Sequence, residues 1–134
     1  MDDANNDKQL AMLRGRQAES RAASYLTRTG MKLVKRNFRC KLGEIDLIML
    51  DRGELVFVEV KYRSSQLFGN SLDYVSRQKQ QKLRKAALFF LQRHPQYAAR
   101  PFRFDVVGLS PPPAGCASES LQVDWVRNAL ELDW

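Results

Sequence analysis

Gly43-Glu44-Ile45-Asp46-Leu47-Ile48-Met49-Leu50 and Glu54-Leu55-Val56-Phe57-Val58-Glu59-Val60-Lys61 are two apolar runs, joined by Asp51-Arg52-Gly53. Two β-rich runs separated by a short turn that ends in glycine predict a β-hairpin. Both runs are apolar at odd and even positions alike, the pattern of central strands covered on each face. Carboxylates in such strands are expensive. Asp46 lies between Ile45 and Leu47, and Glu59 between Val58 and Val60; an unpaired buried carboxylate either costs several kcal/mol or takes up a proton. A cation is therefore expected beside them. Side chains alternate along a strand, so Glu59 and Lys61 share a face, and in the obvious register Asp46 converges with them.

Two readings of this trio stand side by side. In one, two hard carboxylate oxygens with a backbone carbonyl and waters make an Mg²⁺ site, with Mn²⁺ as the substitute ion, open to a phosphate and an attacking water. Lys61 then orients or deprotonates that water, or neutralises charge on the transition state. In the other, Asp46 or Glu59 is the partner of Lys61 in a structural ion pair.

The 134 residues carry a net charge of +7. That length suits one domain around one sheet. The charge favours a polyanionic partner, nucleic acid ahead of an anionic membrane surface. Its distribution is more telling than its sum. Lys32, Lys35, Arg36, Arg39 and Lys41 precede the hairpin without an acid among them, and seven basic residues between Lys61 and Lys85 face Asp73 alone. Positive charge thus brackets the carboxylate pair, whereas after Gly115 the balance turns acidic. Cys40 and Cys116 have no metal-ligand spacing and read as reduced thiols of a cytoplasmic protein. The start of the chain has neither a basic nor an apolar segment of the secretory kind, and no apolar run approaches a membrane span.

Outward from the hairpin, residues 1–7 are polar and are expected to form a mobile tail ahead of a single domain over 8–134. Lys8 to Thr29 has helical spacing through Gly15, Ala18, Ala22, Tyr25 and Leu26, and Gly30 stops it. A stripe of Gly15, Glu19, Ala22, Ala23 and Leu26 turns Glu19 toward the sheet; an exposed Glu19 paired along the helix is the alternative. Met31 to Phe38 predicts a basic strand near a sheet edge. Arg63 to Val75 is long enough for a substrate-contacting flap, with Phe68 available for base stacking or for packing the loop.

Ser76 is the expected N-cap of a helix that Pro95 ends after His94. Its apolar stripe is Leu83, Ala86, Ala87, Phe90 and Leu91, and continuing it backwards aims Lys79 or Gln80 inward. Arg77, Lys82, Arg84 and Lys85 lie off the stripe, as phosphate contacts or as an ordinary solvated face. Arg103 to Leu109 predicts another buried strand, Ser110 to Ser120 a Pro-rich surface loop, and Leu121 to Val126 an edge strand with Trp125 packed inward. Asn128 to Trp134 is expected to close the chain as a turn or short helix. The sum is an α/β fold in αβββαβ order, with a further strand possible at the end: a mixed central sheet with a helix on each face.

Glu19, Arg36-Asn37, Gly43-Glu44-Ile45-Asp46-Leu47-Ile48, Val58-Glu59-Val60-Lys61, Phe68-Gly69, Lys79-Gln80 and Phe104-Asp105-Val106-Val107 together resemble the YraN family of small bacterial proteins. The likeness covers nearly the whole chain outside its first residues and the Pro-rich loop. That family is similar to a branch of the PD-(D/E)XK nuclease superfamily, with a restriction-endonuclease-like core, and to archaeal Holliday-junction resolvases. The resemblance implies that Asp46 and Glu59 bind the metal and that Lys61 assists the water. It implies that Glu19 contributes from the first helix and that Gln80 or Lys79 completes the site.

The expected activity is Mg²⁺-dependent endonucleolytic hydrolysis of DNA, branched or flapped forms among the substrates. Arg36, Arg39, Lys41 and Arg63 before and after the hairpin, and Arg77, Lys79 and Lys82 on the second helix, are the expected nucleic-acid contacts. The competing reading, from another class, is a non-catalytic nucleic-acid-binding or adaptor protein built on the same fold. No membrane partner is expected, and the oligomeric state is left open, a dimer among the options.

Overall fold

A computed structural model describes residues 3–62, 75–112 and 121–130, with the side chains of 3–14 excepted. Helix α1 spans Asp3–Arg28; strands β1 (Lys32–Cys40), β2 (Gly43–Asp51) and β3 (Glu54–Tyr62) follow. Helix α2 (Arg77–Arg93), the short α3 (Pro95–Ala98), β4 (Phe102–Ser110) and β5 (Gln122–Val126) complete the order. The five strands form one mixed sheet in the order β1-β2-β3-β4-β5. Only the β3–β4 pair is parallel.

Local chemistry sets the boundaries. The chain leaves α1 through Gly30 at φ 105°, with Gly30 N–H on the Thr27 carbonyl (3.0 Å) and Met31 N–H on the Leu26 carbonyl (3.2 Å). This is a Schellman cap, and its apolar pair, Leu26 and Met31, is buried. Between β2 and β3, Arg52 and Gly53 both have positive φ (52° and 87°), as a type I′ hairpin turn requires. Ser76 caps α2 by accepting from Lys79 N–H at 3.1 Å. Pro95 stops α2 and then opens α3, where its missing N–H is harmless.

The two sheet faces bury separate cores. Ile48, Leu55, Phe57, Phe104 and Val106 pack under Leu83, Ala86, Ala87 and Phe90 of α2. On the other face Leu47, Met49, Val56, Val58 and Val107 pack under Ala18, Ala22 and Leu26 of α1. Trp125 joins this side edge-on to Tyr25, with ring centroids 6.2 Å apart.

Two details depart from sequence expectation. Helix α1 begins at Asp3, ahead of the Lys8 start that periodicity gave; Ala4 is too little apolar signal for a helical period to register there. The fragment α3 replaces a plain stop at Pro95. The expected flap, with Arg63 and Phe68, and the loop bearing Cys116 lie outside the described residues. Among the described residues no helix is long and apolar enough to cross a membrane.

A buried charge network pins the start of β3 to β4. Asp105, fully buried, accepts from Arg103 Nε (3.0 Å), Trp125 Nε1 (3.0 Å) and Asn128 N–H (2.8 Å). The Arg103 guanidinium also meets Asp51 (3.0 Å) and Glu54 at the β2–β3 turn. Burial alone would lower the Arg103 pKa, but its bonds to Asp105, Glu54 and Asp51 raise it. A charge set this well hydrogen-bonded is the form in which burial is tolerated.

Candidate active site

The site lies at the other end of β3, where the sheet splits. Strands β2 and β3 pair from Asp51–Glu54 as far as Leu47–Val58 and no further. At the next step Asp46 fills the gap with its side chain, Oδ2 accepting the Val60 N–H at 2.8 Å. A residue's N–H and C=O leave a strand on the same side, so the Val60 carbonyl faces the same gap.

The split has a local cause in β1. Asn37 adopts φ 52°, uncommon outside glycine but tolerated by asparagine. On one side of it Arg36 pairs with Leu47 of the α1 face and donates to Ser20 of α1 (2.9 Å). On the other side Phe38 pairs with Ile45, and both pack on the α2 face. The hairpin thus rotates between Ile45 and Leu47, and Asp46 sits at the point of rotation.

Glu59 is 4 % exposed and projects to the α2 face. Its Oε1 lies 2.5 Å from Lys79 Nζ and 3.9 Å from Lys61 Nζ. The Asp46 and Glu59 carboxyl groups lie close enough for each to feel the other's charge. Burial, then the Asp46 charge, pushes the Glu59 carboxyl up to about 7 against the pull of both lysines. Burial also raises Asp46, against the Val60 N–H and Lys79. Lys61 is pushed down by burial and by the neighbouring Lys79. In Lys79 the lowering by burial is overcome by the Glu59 contact, and its pKa is raised.

Glu19 approaches from α1, as the inward stripe predicted. Its pKa is raised by burial and by Asp46, while a side-chain hydrogen bond with Asn37 opposes the rise. Asn37, quoted above only as part of a motif, thus turns the strand and lies beside Glu19. The tolerance of asparagine for positive φ is the one signal in the sequence by which it could have been found. Of the two α2 candidates, Lys79 is the one on Glu59, and Gln80 gives its amide to the Val75 carbonyl at 3.0 Å.

The expected nucleic-acid contacts divide. Arg39, Lys79 and Lys82 line a groove of about 480 Å³ between the β1–β2 turn and α2, together with Gly43, Glu44, Ser76 and Gln78. Arg39 pairs with Glu44 at 3.4 Å, an exposed contact of little energetic weight. Lys41 and Arg77 are exposed at the groove's two flanking elements. Arg36 stands apart, on the α1 side. The first turn of α2 has no acid. Its Arg77 and Lys79 oppose the helix dipole, which favours anions at that end. The groove is built on Gly43, whose added Cβ would lie 2.8 Å from the Lys82 carbonyl oxygen. Hairpin and helix therefore touch backbone to backbone.

Among the described residues no three His, Cys, Asp or Glu side chains form a metal cage. Two hard carboxylates beside a strand carbonyl nonetheless suit Mg²⁺, which binds through one or two carboxylates and keeps its waters.

A mixed five-stranded sheet with a helix on each face is consistent with a restriction-endonuclease-like core. Residues 18–109 match the model of the Uncharacterised protein family UPF0102. Relatives named UPF0102 protein include one from Alcanivorax borkumensis, 47% identical over 116 residues, 87% of this chain and 90% of the relative. One from Stutzerimonas stutzeri is 45% identical over 117 residues, 87% and 93% of the two chains. One from Methylococcus capsulatus is 46% identical over 119 residues, 89% and 91%. The chain belongs to the UPF0102 family, which is the YraN family of the sequence resemblance.

Proposed function

We propose that this chain is a divalent-metal-dependent endonuclease of DNA, with branched and flapped forms among its substrates. The observation that carries the reading is the meeting of two carboxylates, the half-buried Asp46 and the buried Glu59, with Lys61 in a gap of the sheet. Burial alone would select against this much negative charge, and a divalent cation is the counter-charge it suits.

Asp46 and Glu59, with the Val60 carbonyl, would hold Mg²⁺ or Mn²⁺. When bound, such an ion polarises a phosphate oxygen and acidifies a water. Lys61, whose lowered pKa suits proton exchange, holds or passes a proton at Nζ. Glu19, beside Asn37, orients polar groups from the α1 side. Arg39 and Lys82 bind phosphates without reading bases, so recognition is salt-dependent and weakly sequence-specific.

One observation favours the binding-module alternative: Glu59 already has cationic partners in Lys79 and Lys61. The test is cleavage of duplex, single-stranded, flapped and four-way-junction DNA with Mg²⁺ or Mn²⁺, beside calorimetric metal titration. Cleavage and metal uptake that Asp46→Asn both removes support the enzyme. DNA binding with no cleavage and no uptake assigns the protein to the binding class.

A further inference from the structure

Lys79 belongs to two places at once. Its ammonium touches Glu59, and its side chain lines the basic groove between the β1–β2 turn and α2. The two ends of this ion pair differ in freedom. The Lys79 side chain is 41% exposed and the Glu59 side chain 5%, so the lysine is the partner with room to leave. It is a compact charge on a flexible four-carbon stem, in the first turn of a helix. Lys61, the other cation on the same oxygen, is farther away at 3.9 Å and only 21% exposed. A divalent cation at the carboxylate pair would meet like charge from both lysines, and a turn of Lys79 into the groove it already lines would relieve that repulsion.

Resting on the nuclease reading, we propose that Lys79 is a displaceable counter-ion. It neutralises Glu59 in the metal-free protein and moves to a nucleic-acid phosphate in the groove when Asp46 and Glu59 hold a divalent cation. Cation and nucleic acid then bind with positive coupling through this one side chain. Coupling is reciprocal, so removal of Lys79 changes both equilibria.

The first test uses the unaltered protein. Acetylation with an N-hydroxysuccinimide ester, read residue by residue by mass spectrometry, is expected to accelerate at Lys79 when Mg²⁺ is added, with exposed Lys32 as the unchanged reference. The second compares Mg²⁺ affinities by calorimetry. Lys79→Met is expected to bind Mg²⁺ more tightly than wild type, about 5-fold or more, and Lys79→Arg close to wild type. The third measures DNA binding by fluorescence anisotropy with Ca²⁺ or EDTA; the gain from Ca²⁺ should shrink in Lys79→Met. If Asp46→Asn abolishes Mg²⁺ uptake while Lys79 acetylation is unchanged and Lys79→Met binds no more tightly, the counter-ion role is wrong and the nuclease reading survives. If wild-type protein takes up neither Mg²⁺ nor Mn²⁺, both are wrong.

Discussion

Asp46 Oδ2 accepts the Val60 N–H across 2.8 Å, so a side chain takes the ladder position that the β2 backbone gives up. The carboxylate is therefore a structural acceptor as well as a candidate ligand. Asp46→Asn keeps an oxygen for that N–H, whereas Asp46→Ala leaves it unpaired. Urea denaturation in EDTA should find the alanine variant less stable than the asparagine one by about 1–3 kcal/mol. Equal stabilities would show that the bond adds nothing.

The raised Glu59 pKa gives stability a pH dependence of definite sign. With about 7 in the folded chain against 4.5 ordinarily, the folded state binds more protons between those values. Metal-free protein should therefore lose stability as pH rises from 4.5 to 7, on the order of 3 kcal/mol, and level off above. Asp46 is shifted in the same direction and adds to the slope. Thermal melts in EDTA across this range, compared with Glu59→Gln, measure it; an equally steep slope in the variant would assign the effect elsewhere.

Lys61 should separate chemistry from binding. Lys61→Ala is expected to slow cleavage by about 10²–10⁴-fold, the usual range for a group that transfers a proton. Metal uptake should not weaken, since the substitution removes a positive charge 3.9 Å from Glu59 Oε1. Single-turnover cleavage beside Mg²⁺ titration tests this, and a parallel fall in both would make Lys61 a support for the ligands.

Gly43 sets how closely α2 approaches the hairpin. A Cβ there would meet a main-chain oxygen at 2.8 Å, and backbone cannot step aside as a flexible side chain can. Gly43→Ala should cost about 1–3 kcal/mol in chemical denaturation, as overpacking does. An unchanged midpoint would mean that α2 is free to shift.

Arg103 should matter to the fold alone. Arg103→Met strips the fully buried Asp105 of its cation, and breaking such a pair costs about 3–5 kcal/mol. Urea denaturation gives the loss. Nucleic-acid affinity under folding conditions should stay at the wild-type level.

The hairpin, both long helices and the acidic pair were legible because each announces itself locally, by apolar runs, a capping serine, or a charge in the wrong surroundings. What escaped reading was non-local. Counting back from Leu83, Lys79 and Gln80 are equally good candidates for the inward position. The choice depends on how α2 is seated, and the Gly43–Lys82 contact seats it. Arg103 and Asp105 were visible only as charges in a buried strand, since their partners Asp51 and Glu54 arrive through the parallel β3–β4 pairing. Asn37 reverses the faces of β1 with one left-handed residue, and strand alternation has no means of anticipating that.

Strand β3 carries Glu54 in the Arg103 network near one end and Glu59 in the split near the other. Five residues of strand separate them by about 17 Å, beyond the range at which substitutions usually influence one another. The strand thus has an anchored end and an acidic end that can be retuned independently. A reserve of stability held at the anchor lets the other end keep two mutually repelling acids, a combination that a uniformly marginal sheet would shed.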